Sequence, residues 1–319
     1  MQDVLEILRE NLKKNEQTTL DKILMLIENI IPPKSLKQLA EEYSIYAGLR
    51  YTPNTIRTTK SVLKILLEHF GEETLLRTLN SKKLETFLLN RFQQSKYGAA
   101  LLYRTLRSIF EKAKSWGYIP KNPFVEIRLP KIPNHKVLSI SETDFQKILC
   151  KEQSWLLQIL YQIAFNTGMR LGELLNCKWH WINLDERIIT VKNDNTFTTK
   201  SKCERSIPMT DSLYQLLVDF KYKSGNSKEE DYLFQKCKGI KLNNDFVSKK
   251  FKKCVHSAGV NPKYHFHLLR ASFASSLVNA GLSIYSVKEL LGHSSVTTTE
   301  KHYATMNLDS LRESMCNIK

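Results

Sequence analysis

A chain of 319 residues, 42% hydrophobic and 25% charged, has the length for two domains with separate cores and is too apolar for a disordered polymer. Its formal charge of +16 favours a polyanionic partner, nucleic acid first. No apolar run approaches the ~18 residues of a membrane span, no signal-peptide core opens the chain, and six scattered cysteines form no CxxC pair, so neither a disulfide framework nor a zinc ribbon is indicated and a reduced, cytoplasmic protein is expected.

Residues 1–31 are predicted to form one or two amphipathic helices, with Val4, Leu5, Leu8 and Leu12, then Leu20, Ile23, Leu24 and Ile27 at helical spacing. Pro32-Pro33 ends this extension (1–33), and packing is preferred over a docking role. Residues 34–123 carry helical periodicity and little strand signal. Thr52-Pro53 starts a helix whose apolar face is Ile56, Leu63, Leu66, Leu67 and Phe70, while Arg57, Lys60 and Lys64 share a stripe. A later helix turns Leu102, Leu106, Ile109, Phe110 and Ala113 inward and places Arg104, Arg107 and Lys114 on another face. One basic stripe is ordinary solvated surface; two in one small helical unit make phosphate contacts an equal reading. Trp116-Gly117-Tyr118 ends that helix, Asn122-Pro123-Phe124 follows, and residues 124–137, with Pro130, Pro133 and Asn134, read as a basic linker.

The second domain is expected over 138–319. Ser141, three residues before Asp144, caps a helix. An apolar helix runs from Trp155 to Phe165 and stops at Thr167-Gly168, and Met169 to Leu175 starts the next. Arg187 to Val191 and Glu204 to Met209 alternate as two strands of a hairpin around the polar loop Lys192 to Lys202. Helices are predicted over Leu213–Tyr222, Phe246–Ala258, His267–Ala280 and Ser283–Leu291. Nothing repeats, and no segment is low-complexity.

A small set of these residues suits phosphoryl transfer without a metal: Arg170 after a helix-ending glycine, Lys200 in the hairpin loop, His267 and Arg270 one turn apart, then His293 and Tyr303. Permanently charged guanidinium forks neutralise phosphate oxygens without moving protons. A tyrosine hydroxyl can attack phosphorus when a base or a cationic pocket helps it, a histidine can manage the proton, and a lysine can protonate the departing oxygen. Cys254, His256, His265 and His267 could be drawn as a metal site but lack the spacing of zinc motifs.

Four motifs occur in the order used by the tyrosine recombinases, the phage-integrase family. Thr167-Gly-Met-Arg170-Leu-Gly-Glu173-Leu resembles their first arginine motif, and Lys200 ahead of Glu204-Arg-Ser-Ile-Pro208 is similar to their lysine hairpin. His267-Leu-Leu-Arg270 resembles their His-x-x-Arg motif, with Leu268 where the family often has an acid, and Leu290-Leu-Gly-His293 with Tyr303 resembles the last. Asn122-Pro-Phe124 and Leu129-Pro-Lys131 look like the family's domain junction.

The resemblance implies a mainly α protein of the DNA breaking-rejoining fold. A SAM-like, all-helical core-binding domain would join a mostly helical catalytic domain with a small antiparallel β-sheet, the two clamping the duplex as a C. It implies that Tyr303 attacks the scissile phosphate to give a 3′-phosphotyrosyl link, that Arg170 and Arg270 hold the phosphate, and that Lys200 (or Lys202, the loop register being open) protonates the leaving 5′-oxygen. His267 would assist the proton, His293 would hydrogen-bond the phosphate, and Glu173 would orient an arginine or histidine if it is more than structural. No cofactor or metal is implied. The implied partners are double-stranded DNA and a homotetramer on it, with a second recombinase or an accessory protein left open and no membrane. Leu308, Leu311, Met315 and Ile318 form a terminal apolar stripe preferred as a dock for a neighbouring protomer over packing at home. The rivals are a type IB topoisomerase-like enzyme and a non-catalytic helix-turn-helix regulator, which would leave Arg170, Lys200 and Tyr303 idle.

Overall fold

The computed structural model describes residues 33–133, 138–194, 197–199, 203–225, 228–237 and 239–292. The chain divides into two compact units between Asn134 and His135. The N-terminal extension, Lys200, Lys202, His293, Tyr303 and the terminal apolar stripe lie outside the described residues.

The first unit is helical: α1 (Leu36–Arg50), α2 (Pro53–Phe70), α3 (Ser81–Gln94) and α4 (Lys96–Ser115). Each start has a chemical cause. The Ser35 hydroxyl accepts from the Gln38 N–H while Gln38 accepts from the Ser35 N–H, a reciprocal cap on α1. Pro53 occupies the first turn of α2, where its missing N–H costs nothing. Asn80 and Ser95 cap α3 and α4. All five residues predicted to face inward on α4 are buried, whereas on α2 the buried line is Thr59, Val62, Leu63 and Leu66, and Ile56, Leu67 and Phe70 are only half-covered. The predicted cationic stripes, Arg57, Lys60 and Lys64 on α2 and Arg104, Arg107 and Lys114 on α4, are exposed.

The first residues of the predicted linker belong to this core. Asn122 is buried; its amide donates to the Arg107 carbonyl (3.0 Å) and Glu111 (2.8 Å) and accepts from the Phe124 N–H (3.0 Å). That seats Phe124 edge-on against Phe110, with ring centroids 4.9 Å apart, and Ile127 is buried beside it. Asn122→Ala should therefore lower stability by about 1–3 kcal/mol, since the buried Phe124 N–H and two partly buried acceptors lose a partner at once; urea unfolding of the full chain measures it.

The second unit packs α5 (Glu142–Leu149), α6 (Trp155–Thr167), α7 (Leu171–Asn176), α8 (Asp211–Lys223), α9 (Asn244–Ser257) and α10 (His267–Asn279) around a core containing Tyr161, Trp181, Phe234 and Phe251, and α11 (Ile284–Leu291) packs Val287 and Leu291 with Ala274 of α10 in a smaller cluster. The predicted Ser141 cap on α5 is formed. The expected hairpin pairs β2 (Ile188–Val191) with β3 (Arg205–Pro208), and β1 (Ile182–Asn183) adds a third antiparallel strand in the order β1-β2-β3. A second ribbon, β4 (Gln235–Cys237) with β5 (Ile240–Lys241), was not read from the sequence. Register decides which side chains of β3 face inward. Val191 pairs with Arg205 and Ile189 with Ile207, and all four are buried, so β3 turns an arginine toward the core. The predicted architecture, mainly helical with small antiparallel sheets, is the one observed.

Candidate active site

The candidate site is built around the C-terminal end of α11. An α-helix leaves its last carbonyls without intrahelical donors, and the aligned peptide dipoles make that end partly negative. Here three arginines from three different elements supply the donors. Arg170, the residue preceding α7, donates Nη2 to the Gly292 carbonyl at 3.2 Å. Arg205, at the start of β3, donates Nε to the Leu290 carbonyl at 2.8 Å. Arg270, in the first turn of α10, donates Nη2 to the Leu291 carbonyl and Nη1 to the Gly168 carbonyl, the latter at 2.7 Å.

One carboxylate organises two of these guanidiniums. Glu173, 2% exposed, accepts from Arg170 Nη1 at 2.8 Å and from the Arg170 N–H at 2.9 Å. It also accepts both terminal nitrogens of Arg205, at 3.2 and 2.6 Å, in a forked pair. Burial pushes the Glu173 carboxyl up, but the hydrogen bonds and charge of Arg205, followed by the Arg170 backbone N–H and guanidinium, outweigh it and hold the carboxyl below its ordinary value. With Glu173 ionised, the described contacts gather three guanidiniums and one carboxylate at this helix end, an excess of positive charge among these four side chains. That excess suits a phosphodiester.

Two glycines make the close approach possible. Gly168 ends α6 at φ +61°, and a Cβ there would lie 2.5 Å from the Phe273 ring and 3.0 Å from a Leu291 methyl. Gly292 ends α11 at φ +64°, and its Cβ would lie 3.0 Å from Arg205 Cδ. A left-handed backbone and absent side chains are required at both.

Of the sequence-predicted residues, Arg170 and Arg270 are brought to adjacent carbonyls of the same helix end. His267 is the first residue of α10, exposed and one turn ahead of Arg270. His293 directly follows Gly292 in the chain, but it, Lys200 and Tyr303 lie outside the described residues. Glu173, weighed from the sequence as either structural or an orienting group, contacts two arginines. Arg205 was missed. The available signal was its inward register in a strand that alternates Arg205-Ser-Ile207-Pro. The set Cys254, His256, His265 and His267 forms no metal site, and no group of three or more His, Cys, Asp or Glu suited to a metal occurs among the described residues. Cys254 is instead buried, its thiol toward Glu152 at 3.4 Å. No helix among the described residues is long and apolar enough to cross a membrane.

Residues 136–309 match the phage integrase family. The chain is 27% identical to the tyrosine recombinase XerC of Oceanobacillus iheyensis over 282 residues, 82% of this chain and 88% of that one. It is 26% identical to the tyrosine recombinase XerA of Thermococcus onnurineus over 291 residues, 88% and 95% of the two chains. Among solved structures, the Tn1549 transposon integrase in complex with transposon right end DNA superposes with a TM-score of 0.74 at 20% identity, over 89% of this chain and 99% of that one. A λ integrase dimer bound to a core site gives 0.71 at 21% identity, over 94% and 83%. At these identities the structural likenesses are likenesses of fold.

Proposed function

The chain belongs to the phage integrase family, and on that premise we propose that it is a site-specific tyrosine recombinase that cuts and rejoins double-stranded DNA for integration, excision or dimer resolution. The observation that carries the reading is the delivery of Arg170 and Arg270 to one helix end, immediately before His293 in the chain. The Tyr303 oxygen attacks the scissile phosphorus as the bond from phosphorus to the 5′-oxygen breaks. Arg170 and Arg270 carry the negative charge that develops on the non-bridging oxygens, where fixed cations are worth most. Lys200 gives a proton to the leaving 5′-oxygen, His267 assists the transfer of the phenolic proton, and His293 hydrogen-bonds the phosphate. The energy of the broken bond is kept in the phosphotyrosyl link, so a free 5′-hydroxyl can reverse the step without a cofactor. Exchange between two sites engages four protomers on DNA, and the two exposed cationic stripes of the first unit supply sequence-independent phosphate contacts. The reaction belongs to the cytoplasm.

Covalent trapping tests this reading. The full chain is incubated with a library of nicked duplexes, denatured, and the retained protein mapped by peptide mass. DNA attached to Tyr303 is the expected result. Attachment to another tyrosine would overturn the assignment, and duplex binding with no adduct would favour the regulator. Arg270→Lys keeps a positive charge but loses the fork, and it should slow adduct formation by about 10²–10³-fold, the scale of losing one fixed transition-state donor, as read in a single-turnover time course.

A further inference from the structure

We propose that Arg205 is a positioning residue for strand transfer: its guanidinium locks the start of β3, which follows Lys200 in the chain, to the end of α11, which precedes His293 in the chain. The functional part rests on the recombinase reading; the positional part rests on geometry alone.

The side chain of Arg205 is 5% exposed, beneath an inner sheet face formed with Ile189, Val191 and Ile207. It is therefore no surface phosphate ligand. Instead it joins three elements. Its own backbone belongs to β3, its terminal nitrogens grip Glu173 on α7, and its Nε reaches the Leu290 carbonyl on α11. Its aliphatic stem also lies under Gly292, where an added Cβ would meet Cδ at 3.0 Å. The planar fork makes this possible. A lysine ammonium offers its donors from a single point and cannot satisfy both carboxylate oxygens in parallel while also reaching a carbonyl on another helix.

A buried ion pair is seldom a net source of stability compared with apolar residues of the same volume, because desolvation of the two charges offsets their attraction. The geometry it imposes is then its use. Arg205 has an electrostatic effect too. It shares the Glu173 carboxylate with Arg170, so that Arg170 is not fully neutralised by its nearest anion. Groups that orient metal ligands cost about 10–100-fold in activity when removed, and a loss of the same order is expected for an orienting contact here.

The test compares the full-length wild type with Arg205→Lys and Arg205→Met. Hydrogen exchange in the DNA-free protein reads the amides of Leu290 to Gly292, urea unfolding reads the fold, binding to a short nonspecific duplex reads affinity, and nicked-duplex trapping reads cleavage. Arg205→Lys should unfold near the wild-type midpoint and bind the duplex within about twofold of wild type, since Arg205 is not a phosphate contact. Exchange at the α11 end should quicken about tenfold, and adduct formation should slow about 10–100-fold; Arg205→Met should give a larger loss in the same direction. Unchanged exchange at α11, or wild-type cleavage by Arg205→Lys, would overturn the proposal. So would a parallel fall of midpoint, affinity and cleavage, which marks a purely structural residue. If the wild type itself forms no adduct, the recombinase reading fails, and exchange at the α11 end still decides whether Arg205 positions it.

Discussion

Tyr303→Phe should bind duplex DNA as the wild type does and form no covalent adduct with it. The change removes one oxygen atom and leaves the aromatic ring. The substitution changes no charge, and the described contacts at the end of α11 run among Arg170, Glu173, Arg205, Arg270 and backbone carbonyls, so affinity should change by less than about twofold. In the proposed reaction Tyr303 is the one nucleophile. Lysine and arginine are protonated at neutral pH, and water would give hydrolysis with no retained protein. Loss of a covalent nucleophile costs on the order of 10⁶-fold where it has been taken apart, so adduct formation should fall below detection. Filter retention under native conditions and gel retention after denaturation separate the two quantities on one sample. Native retention with no denatured retention is the expected pair. A residual adduct in the variant would place the nucleophile elsewhere, and loss of both would mean that Tyr303 serves folding or DNA binding instead.

What could be read from the sequence depends on how local the physics is. The inward face of α4 is legible because Leu102, Leu106, Ile109, Phe110 and Ala113 repeat at the helical period and nothing polar interrupts them; all are buried. The α2 face is less so, because Thr59 takes a buried place in it and Ile56 and Phe70 sit at ends that are only half-covered. Short strands carry too few residues for a pattern, which is why β1, β4 and β5, of two or three residues each, went unread. Asn122-Pro-Phe124 was legible as a junction motif, but the three hydrogen bonds that make Asn122 a clasp close onto residues 11 and 15 positions upstream and only two positions downstream. Local spacing shows the last of these and hides the others.

The same distinction divides the site. Arg170 and Glu173 are one turn apart, and so are His267 and Arg270, so spacing alone brings each pair together. Arg205 meets Glu173 across 32 positions and Leu290 across 85. In sequence it is one more arginine in a basic chain, beside a hairpin where polar side chains ordinarily face water. Only strand register, which a one-residue slip would invert, turns it inward. The roles of Lys200, His293 and Tyr303 remain proposals carried by the motifs.

Glu173→Ala should be the most destabilising single change at the site, by about 3–5 kcal/mol, because it strips a buried guanidinium of its anion. Of its described partners Arg205 would keep one neutral carbonyl, and three guanidiniums would share one helix end without the carboxylate that now joins two of them. Glu173→Gln should cost less, since an amide oxygen still accepts one hydrogen bond while its NH₂ group is turned toward donors. Acid should reveal the same charge in the wild type. The folded carboxyl lies below its ordinary value, so its contribution is fully present above the unfolded value near ~4.3 and is lost as pH falls through the folded value. Urea unfolding across pH 7 to about 3 should therefore show a wild-type advantage over Glu173→Gln that is flat above about pH 4.3 and narrows below it. An advantage that persists undiminished into strong acid would mean that shape, not charge, is what Glu173 contributes. A narrowing gap would tie the fold to the charge pattern proposed to hold the phosphate, because the ionised carboxylate that anchors Arg205 is the same one that sets the Arg170 fork.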